Sequence, residues 1–128
     1  MAENTLQVEV VAADRLVWSG EATVVNARTA GGEIGILANH MPVLSLLAPG
    51  AVEVDTPDGE TSTFAVDEGI LSVANNRVSV LASHAEVAGD IDLASARSDL
   101  ESARSDTHKS QSEIHRLEAR VRAAERAS

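Results

Sequence analysis

Two incompatible hydrophobic periods divide this chain at Asp90. Before that residue, valine-rich segments alternate apolar and polar side chains, broken about every ten residues by Gly, Pro or Asn. After it there is neither Gly nor Pro, and apolar residues recur at helical spacing almost to the end. A period of two fits a half-buried strand, whereas a period near 3.6 fits a helix. The chain is therefore read as two parts: a mainly β N-terminal sandwich over residues 1–89, and an antiparallel α-helical hairpin over residues 90–128. A β body carrying a helical appendage suits docking and switching better than catalysis.

Within the first part, Leu6, Val8 and Val10 alternate with polar residues as a half-buried strand does. Leu16-Val17-Trp18 leads into Gly20, and Ala22 to Thr29 reads as a further strand. Gly31 to Leu37 reads as a glycine-punctuated turn or bulge returning to apolar chain. Met41 to Leu47 is apolar, with Pro42 interrupting regular pairing and Pro49-Gly50 making a turn. Pro57-Asp58-Gly59, between Ala51–Thr56 and Glu60–Val66, signals a hairpin, and Asn75-Asn76 signals a second between Ile70–Ala74 and Val78–Leu81. Short, evenly spaced strands indicate a sandwich or barrel, and no helix interrupts them to create a parallel sheet.

In the tail, Leu93, Ala96, Leu100 and Ala103 form one apolar stripe, and Ile114, Leu117, Val121 and Ala124 form another of equal length. Ser110-Gln111-Ser112-Glu113 between them matches a capping box, and Asp90 or Asp92 can cap the first helix. Two such stripes joined by a polar turn fold back on each other, with the alanines allowing close approach. The few large side chains are only partly covered by a two-helix contact. Helices of this length draw their stability from docking, so the closed hairpin is a shallow minimum. At 100° per residue, Asp99 shares a side with Arg116, and Arg97 shares the opposite side with Glu118. Ion pairs Asp99–Arg116 and Arg97–Glu118 are expected, each worth about 0–1 kcal/mol when exposed.

Composition removes several function classes. Only Trp18 and Phe64 are aromatic, so Val, Leu, Ile and Ala must build the core. With no Cys there are no disulfides or thiolate metal sites. Residues 1–89 carry 12 acids against 3 bases, which disfavours a nucleic-acid partner. Residues 107–128 carry 3 acids against 5 bases, which suits an acidic protein surface instead. Met1-Ala2-Glu3-Asn4-Thr5 lacks the basic and apolar regions of a secretory signal, and no apolar run is long enough to span a bilayer. Membrane association is expected only through a partner. The four histidines are scattered, the glycine run lacks the Lys-Ser/Thr of a phosphate loop, and no nucleophile elbow exists, so no catalytic residue or metal ligand is assigned.

Several stretches resemble the epsilon chain of bacterial F-type ATP synthases. These are Leu6-Gln7-Val8-Glu9-Val10-Val11, Trp18-Ser19-Gly20, His40-Met41-Pro42-Val43-Leu44, Ala65-Val66-Asp67-Glu68-Gly69 and Val80-Leu81-Ala82. The Gly-Glu-x-Gly-Ile-x-x-x-His block from Gly32 to His40 is the most specific. The resemblance implies a non-catalytic rotor subunit, peripheral at the cytoplasmic face of the bacterial membrane. It implies a sandwich that binds the gamma subunit and the c-ring, and a hairpin that extends to inhibit ATP hydrolysis by meeting the alpha and beta catalytic subunits. It places Glu33 and His40 in a loop facing the c-ring. It places Arg116, Arg120, Arg122 and Arg126 against an acidic segment of the beta subunit. Relatives that bind ATP in the closed hairpin carry Ile/Leu-Asp-x-x-Arg-Ala. Here Ile91 and Asp92 are followed by Ser95 where Arg is expected, which argues against ATP as a regulatory ligand. Read without the resemblance, the same chain also fits a β-sandwich ligand-binding module with a helical oligomerisation hairpin. The epsilon reading expects a monomer when isolated.

Overall fold

The protein is described by a computed structural model over residues 5–127. Residues 1–4, on which the expectation of no secretory signal rests, and Ser128 lie outside the described residues.

Ten strands precede two helices. They are β1 (Leu6–Ala12), β2 (Arg15–Ala22), β3 (Val24–Thr29), β4 (Gly32–Leu37), β5 (Val43–Leu47), β6 (Gly50–Asp55), β7 (Thr61–Val66), β8 (Gly69–Ala74), β9 (Arg77–Ala82) and β10 (Ala85–Val87). A single 3-10 turn at Ala88–Asp90 leads to α1 (Leu93–Ser105) and α2 (Gln111–Ala127). The strands make two five-stranded layers, ordered β10-β7-β6-β3-β4 and β5-β8-β9-β1-β2. β3 joins them, because its start pairs with β6 and its last residue, Thr29, pairs with Leu47 of β5.

Alternation decides which side chains enter. Leu6, Val8, Val10, Leu71, Val73, Val78 and Val80 from one layer meet Val25, Ile36, Val52, Val54, Phe64 and Val66 from the other. The two aromatic rings, Trp18 and Phe64, close one part of this core with centroids 5.8 Å apart in a tilted contact. Gly69 is required where β8 begins, since a Cβ there would strike the Leu81 carbonyl oxygen and lie 2.8 Å from the Ala82 Cα.

The structure departs from the sequence expectations in places. β1 and β9 pair in parallel, Val8 opposite Val78 and Val10 opposite Val80. No interleaved helix is needed, because the strands between them travel through both layers before returning. The Gly31–Leu37 segment is a full strand rather than a bulge. Thr29 Oγ1 accepts from the Gly31 N–H, and Gly32 sits at φ 119°, so the chain reverses at once and pairs along β3. Asn75 and Asn76 both take positive φ, 52° and 60°, in the two-residue turn joining β8 and β9.

The helices start where polar side chains satisfy their first N–H groups. Asp92, not Asp90, caps α1, its Oδ1 accepting from the Ser95 N–H at 3.1 Å. Ser110 Oγ accepts from the Glu113 N–H at 3.2 Å. The Glu113 carboxylate lies 3.3 Å from Lys109 Nζ, so the reciprocal half of the capping box is replaced by an ion pair.

Candidate functional site

The hairpin is closed, with α1 and α2 antiparallel and α2 lying between α1 and the outer face of β6 and β7. The seat is built from small side chains. Ala51 and Ala65, directly opposite one another on β6 and β7, turn outward from the sandwich core. They pack with Ala88, Ile91, Ala96, Ala123 and Ala124 in a cluster separate from the sandwich core. Leu93 and Val121 border it.

The expected stripe on α1 holds for Ala96, Leu100 and Ala103, which are buried, while Leu93 is half-buried. On α2 the stripe needs correction. Ala124 is buried, but Ile114, Leu117 and Val121 are only half-buried, whereas Ala119 and Ala123 are fully buried. α2 has two contact faces, one toward α1 and one toward the sandwich, and a single-stripe reading finds only the first. The Ala119-x-x-x-Ala123 spacing is the signal that points to the second, because small residues four apart let a helix approach a surface closely.

The predicted ion pairs also need correction. Their sides are right and their register is wrong. Arg97 pairs with Glu125 at 2.8 Å, Arg104 with Glu118 at 2.9 Å, and Asp99 lies 3.8 Å from Arg120. Counting levels outward from the turn ignores side-chain direction. Long side chains lean toward their own helix N-terminus, away from the turn on α1 and toward it on α2. The partner on α2 therefore sits further along the chain than level counting gives.

Carboxylates of the sandwich hold the basic side of α2. Arg120 donates to both oxygens of Glu86, Nε to Oε2 at 2.8 Å and Nη2 to Oε1 at 3.2 Å. Arg126 Nη1 donates to Glu53 Oε1 at 2.6 Å, and its Nη2 lies 3.9 Å from Glu33. Glu86 and Glu53 rim the alanine floor: Glu86 is directly opposite Ala65, and Glu53 is two residues beyond Ala51. Arg116 lines a cleft with Asp14, Arg15, His84 and Glu86, and Arg122 is half-buried. Of the four assigned arginines, then, the fold sets two directly onto acids of the sandwich.

Glu33 and His40 do not share a loop. Glu33 lies within β4 opposite Arg28, and His40 follows the other end of that strand, its N–H donating to the Leu37 carbonyl. The immediate reversal at Gly31-Gly32 draws Glu33 into the strand and separates the two. The His40 Nδ1–H donates to the Met41 carbonyl at 2.7 Å, and the neighbouring Asn39 N–H donates to Asn76 Oδ1 at 2.6 Å, tying this loop to the β8–β9 turn. Ile91 is buried in the helix seat, and the Asp92 carboxylate is engaged as a cap. Among the described residues no group of His, Asp and Glu is placed to hold a metal, and no helix is long and apolar enough to cross a membrane.

The other layer presents a different surface. Leu46, Ile70, Leu81, Val11 and Leu16 occupy directly opposed positions on β5, β8, β9, β1 and β2, so they form one row across its outer face. At about 4.8 Å per strand the row spans roughly 19 Å. Leu46 and Leu16 are more than half exposed, and Leu44, on the same face of β5, is 77% exposed. Adjacent apolar pairs such as Leu46-Leu47, Ile70-Leu71 and Val10-Val11 are the sequence sign of such a strand, since one of each pair must face outward.

Comparison with known proteins locates this arrangement. Residues 5–88 match the family described as ATP synthase, Delta/Epsilon chain, beta-sandwich domain. The ATP synthase epsilon chain of Streptomyces avermitilis is 53% identical over 91 residues, covering 71% of this chain and 73% of that one. The epsilon chain of Rhodococcus jostii is 48% identical over 99 residues, covering 77% and 80% respectively. A chain in the mitochondrial ATP synthase structure of Euglena gracilis, comprising OSCP, F1 and c-ring, shares the fold with a TM-score of 0.75 at 22% identity, over 94% of this chain and 78% of that one.

Proposed function

The chain belongs to the ATP synthase epsilon-chain family of non-catalytic subunits, and on that premise we propose that it couples the gamma subunit to the c-ring within the central stalk. In this reading it sits peripherally at the cytoplasmic face of the bacterial membrane, reached only through the complex. The sandwich is the coupling part. The bare row Leu46–Ile70–Leu81–Val11–Leu16 supplies the apolar surface for the gamma subunit, while loop residues such as His40 and Met41 are left for the c-ring. The hairpin is the regulatory part, extending toward the alpha and beta subunits to slow ATP hydrolysis and folding back to release it.

The observation that carries this reading is the separation of the two apolar clusters. The hairpin sits on the sandwich through alanines and shares none of its core, so it can leave without unfolding it. Alanine methyls contribute about 0.8 kcal/mol per buried CH2, against roughly 1.5–3 kcal/mol for each large side chain of the core. ATP has no role in the proposal, because Asp92 is committed to capping and Ser95 offers no cation. Tight ATP binding to the isolated chain by calorimetry would contradict that. An isolated monomer follows from the stripes meeting each other and the sandwich, which leaves the oligomerising-module reading without a free helical face.

Truncation after Asp90 tests the division. The shortened chain should assemble and support proton coupling while raising ATP hydrolysis. Unchanged hydrolysis would remove the hairpin from regulation, and lost coupling would show that the two parts do not divide as described.

A further inference from the structure

The closed hairpin uses for itself the side chains that the extended one is proposed to offer elsewhere. Arg120 makes a two-pronged contact with Glu86 and reaches Asp99, with only 24% of its side chain exposed. Arg126 meets Glu53 at 2.6 Å. These contacts differ from the pairs Arg97–Glu125 and Arg104–Glu118, which join one helix of the hairpin to the other.

We propose that Glu86 and Glu53 form an internal acidic decoy, which latches the hairpin shut by occupying Arg120 and Arg126 until acidic side chains of a neighbouring subunit compete for them. The inference rests on the regulatory reading above and names the groups that set its balance. Three features support it. The two carboxylates flank the alanine floor, so the latch and the seat engage together. The floor is built mostly of small side chains, so the part-buried two-donor contact of Arg120 with Glu86 adds a contribution of comparable size. Arg120 and Arg126 can meet Glu86 and Glu53 only while α2 lies on the sandwich, so these pairings and any made by an extended helix exclude each other in space. Opening returns Glu86 and Glu53 to water on an outward face of the sheet. The exchange is therefore one arginine–carboxylate set for another, which a partner of matching acidity can tip.

The chain has no cysteine, so cysteines at the exposed positions Ala13 and Gln111 would carry spin labels for a distance measurement. The parent should give one narrow distribution. Glu86→Gln combined with Glu53→Gln should raise the population at longer distance about tenfold, the scale expected for hydrogen bonds to charged groups. An unchanged distribution would overturn the latch, leaving the alanine seat as the sole source of closure. Glu86→Arg alone should widen the distribution further, and adding Arg120→Glu together with Asp99→Asn, which removes the like charge 3.8 Å away, should recover the narrow one; failure to recover it would overturn the latch at this pair. Hydrolysis by the assembled complex reports separately. The double glutamine variant should hydrolyse ATP more slowly. An opened hairpin with unchanged hydrolysis would leave the latch standing and overturn the brake.

Discussion

On the outside of the layer β10-β7-β6-β3-β4, directly opposed positions carry Glu86, Ala65 and Ala51. On the outside of the other layer, the corresponding row carries Leu46, Ile70, Leu81, Val11 and Leu16. Inside, the two layers contribute alike to one core. The covered face has small side chains and charged rims, which suits a cover that comes and goes. The bare face has large apolar side chains and no cover among the described residues. Each could contribute roughly 1.5–3 kcal/mol if fully buried, which suits a lasting partner. The two faces thus differ in side-chain size rather than in apolarity alone, and the proposed roles rest on that difference.

The largest effect should come from the shared interior. Phe64→Ala, which empties a fully buried ring site and removes the contact with Trp18, should cost about 3–5 kcal/mol in chemical denaturation. Both layers should melt together. If one layer kept its amide protection after the other lost it, the two faces would belong to separately stable units. On the bare face, Ile70→Asp should leave stability within about 0.5 kcal/mol while weakening gamma-subunit binding by about 2 kcal/mol or more. Unaltered affinity in a titration against the gamma subunit would remove that row from the interface. On the covered face, Ala65→Leu should cost about 1–3 kcal/mol by overfilling the seat. That cost should fall on closure. Hydrogen exchange should quicken in α2 and stay unchanged in β8 and β9, and equal quickening everywhere would mean that the helices belong to the core.

The succession of strands and then helices was legible because the hydrophobic period changes near Asp90, and so were the two turns at Pro57-Asp58-Gly59 and Asn75-Asn76. The parallel pairing of β1 with β9 was not, since period two is the same in parallel and antiparallel strands. β4 was obscured by Gly31, Gly32 and Gly35, which read as irregular chain, yet Gly32 at φ 119° is what lets the strand begin so soon. The alanine seat was invisible on β6 and β7 because Ala51 and Ala65 hold outward positions where either a solvated or a covered residue could stand. The edges of the hairpin followed from 100° per residue, but its register depended on side-chain lean, which spacing does not carry. Glu86 and Glu53 gave no local sign of a partner more than thirty residues away.

The smallest effect concerns the turn that fixes the covered face. Ala51 and Ala65 are held opposite one another by the β6–β7 hairpin, whose loop is organised around Asp58. The Thr56 hydroxyl donates to the Asp58 carboxylate, and the Glu60 N–H donates to it at 3.1 Å. The hydroxyl first, and the backbone N–H second, hold its pKa below that of an ordinary aspartate. A carboxyl lowered in the folded state contributes stability that is full above its unfolded pKa and is lost as pH falls through the folded value. Acidification should therefore loosen the β6–β7 turn, while the β5–β8–β9 surface stays unchanged. The group is fully exposed, so the effect is local and is best read by following the Asp58 carboxyl carbon by NMR across an acid titration. Its midpoint should fall below that of an ordinary aspartate, and Asp58→Asn should remove the part of the acid-induced change in the Glu60 amide proton shift that follows the Asp58 titration. A midpoint equal to or above that of an ordinary aspartate would mean that the turn draws nothing from the ionised form.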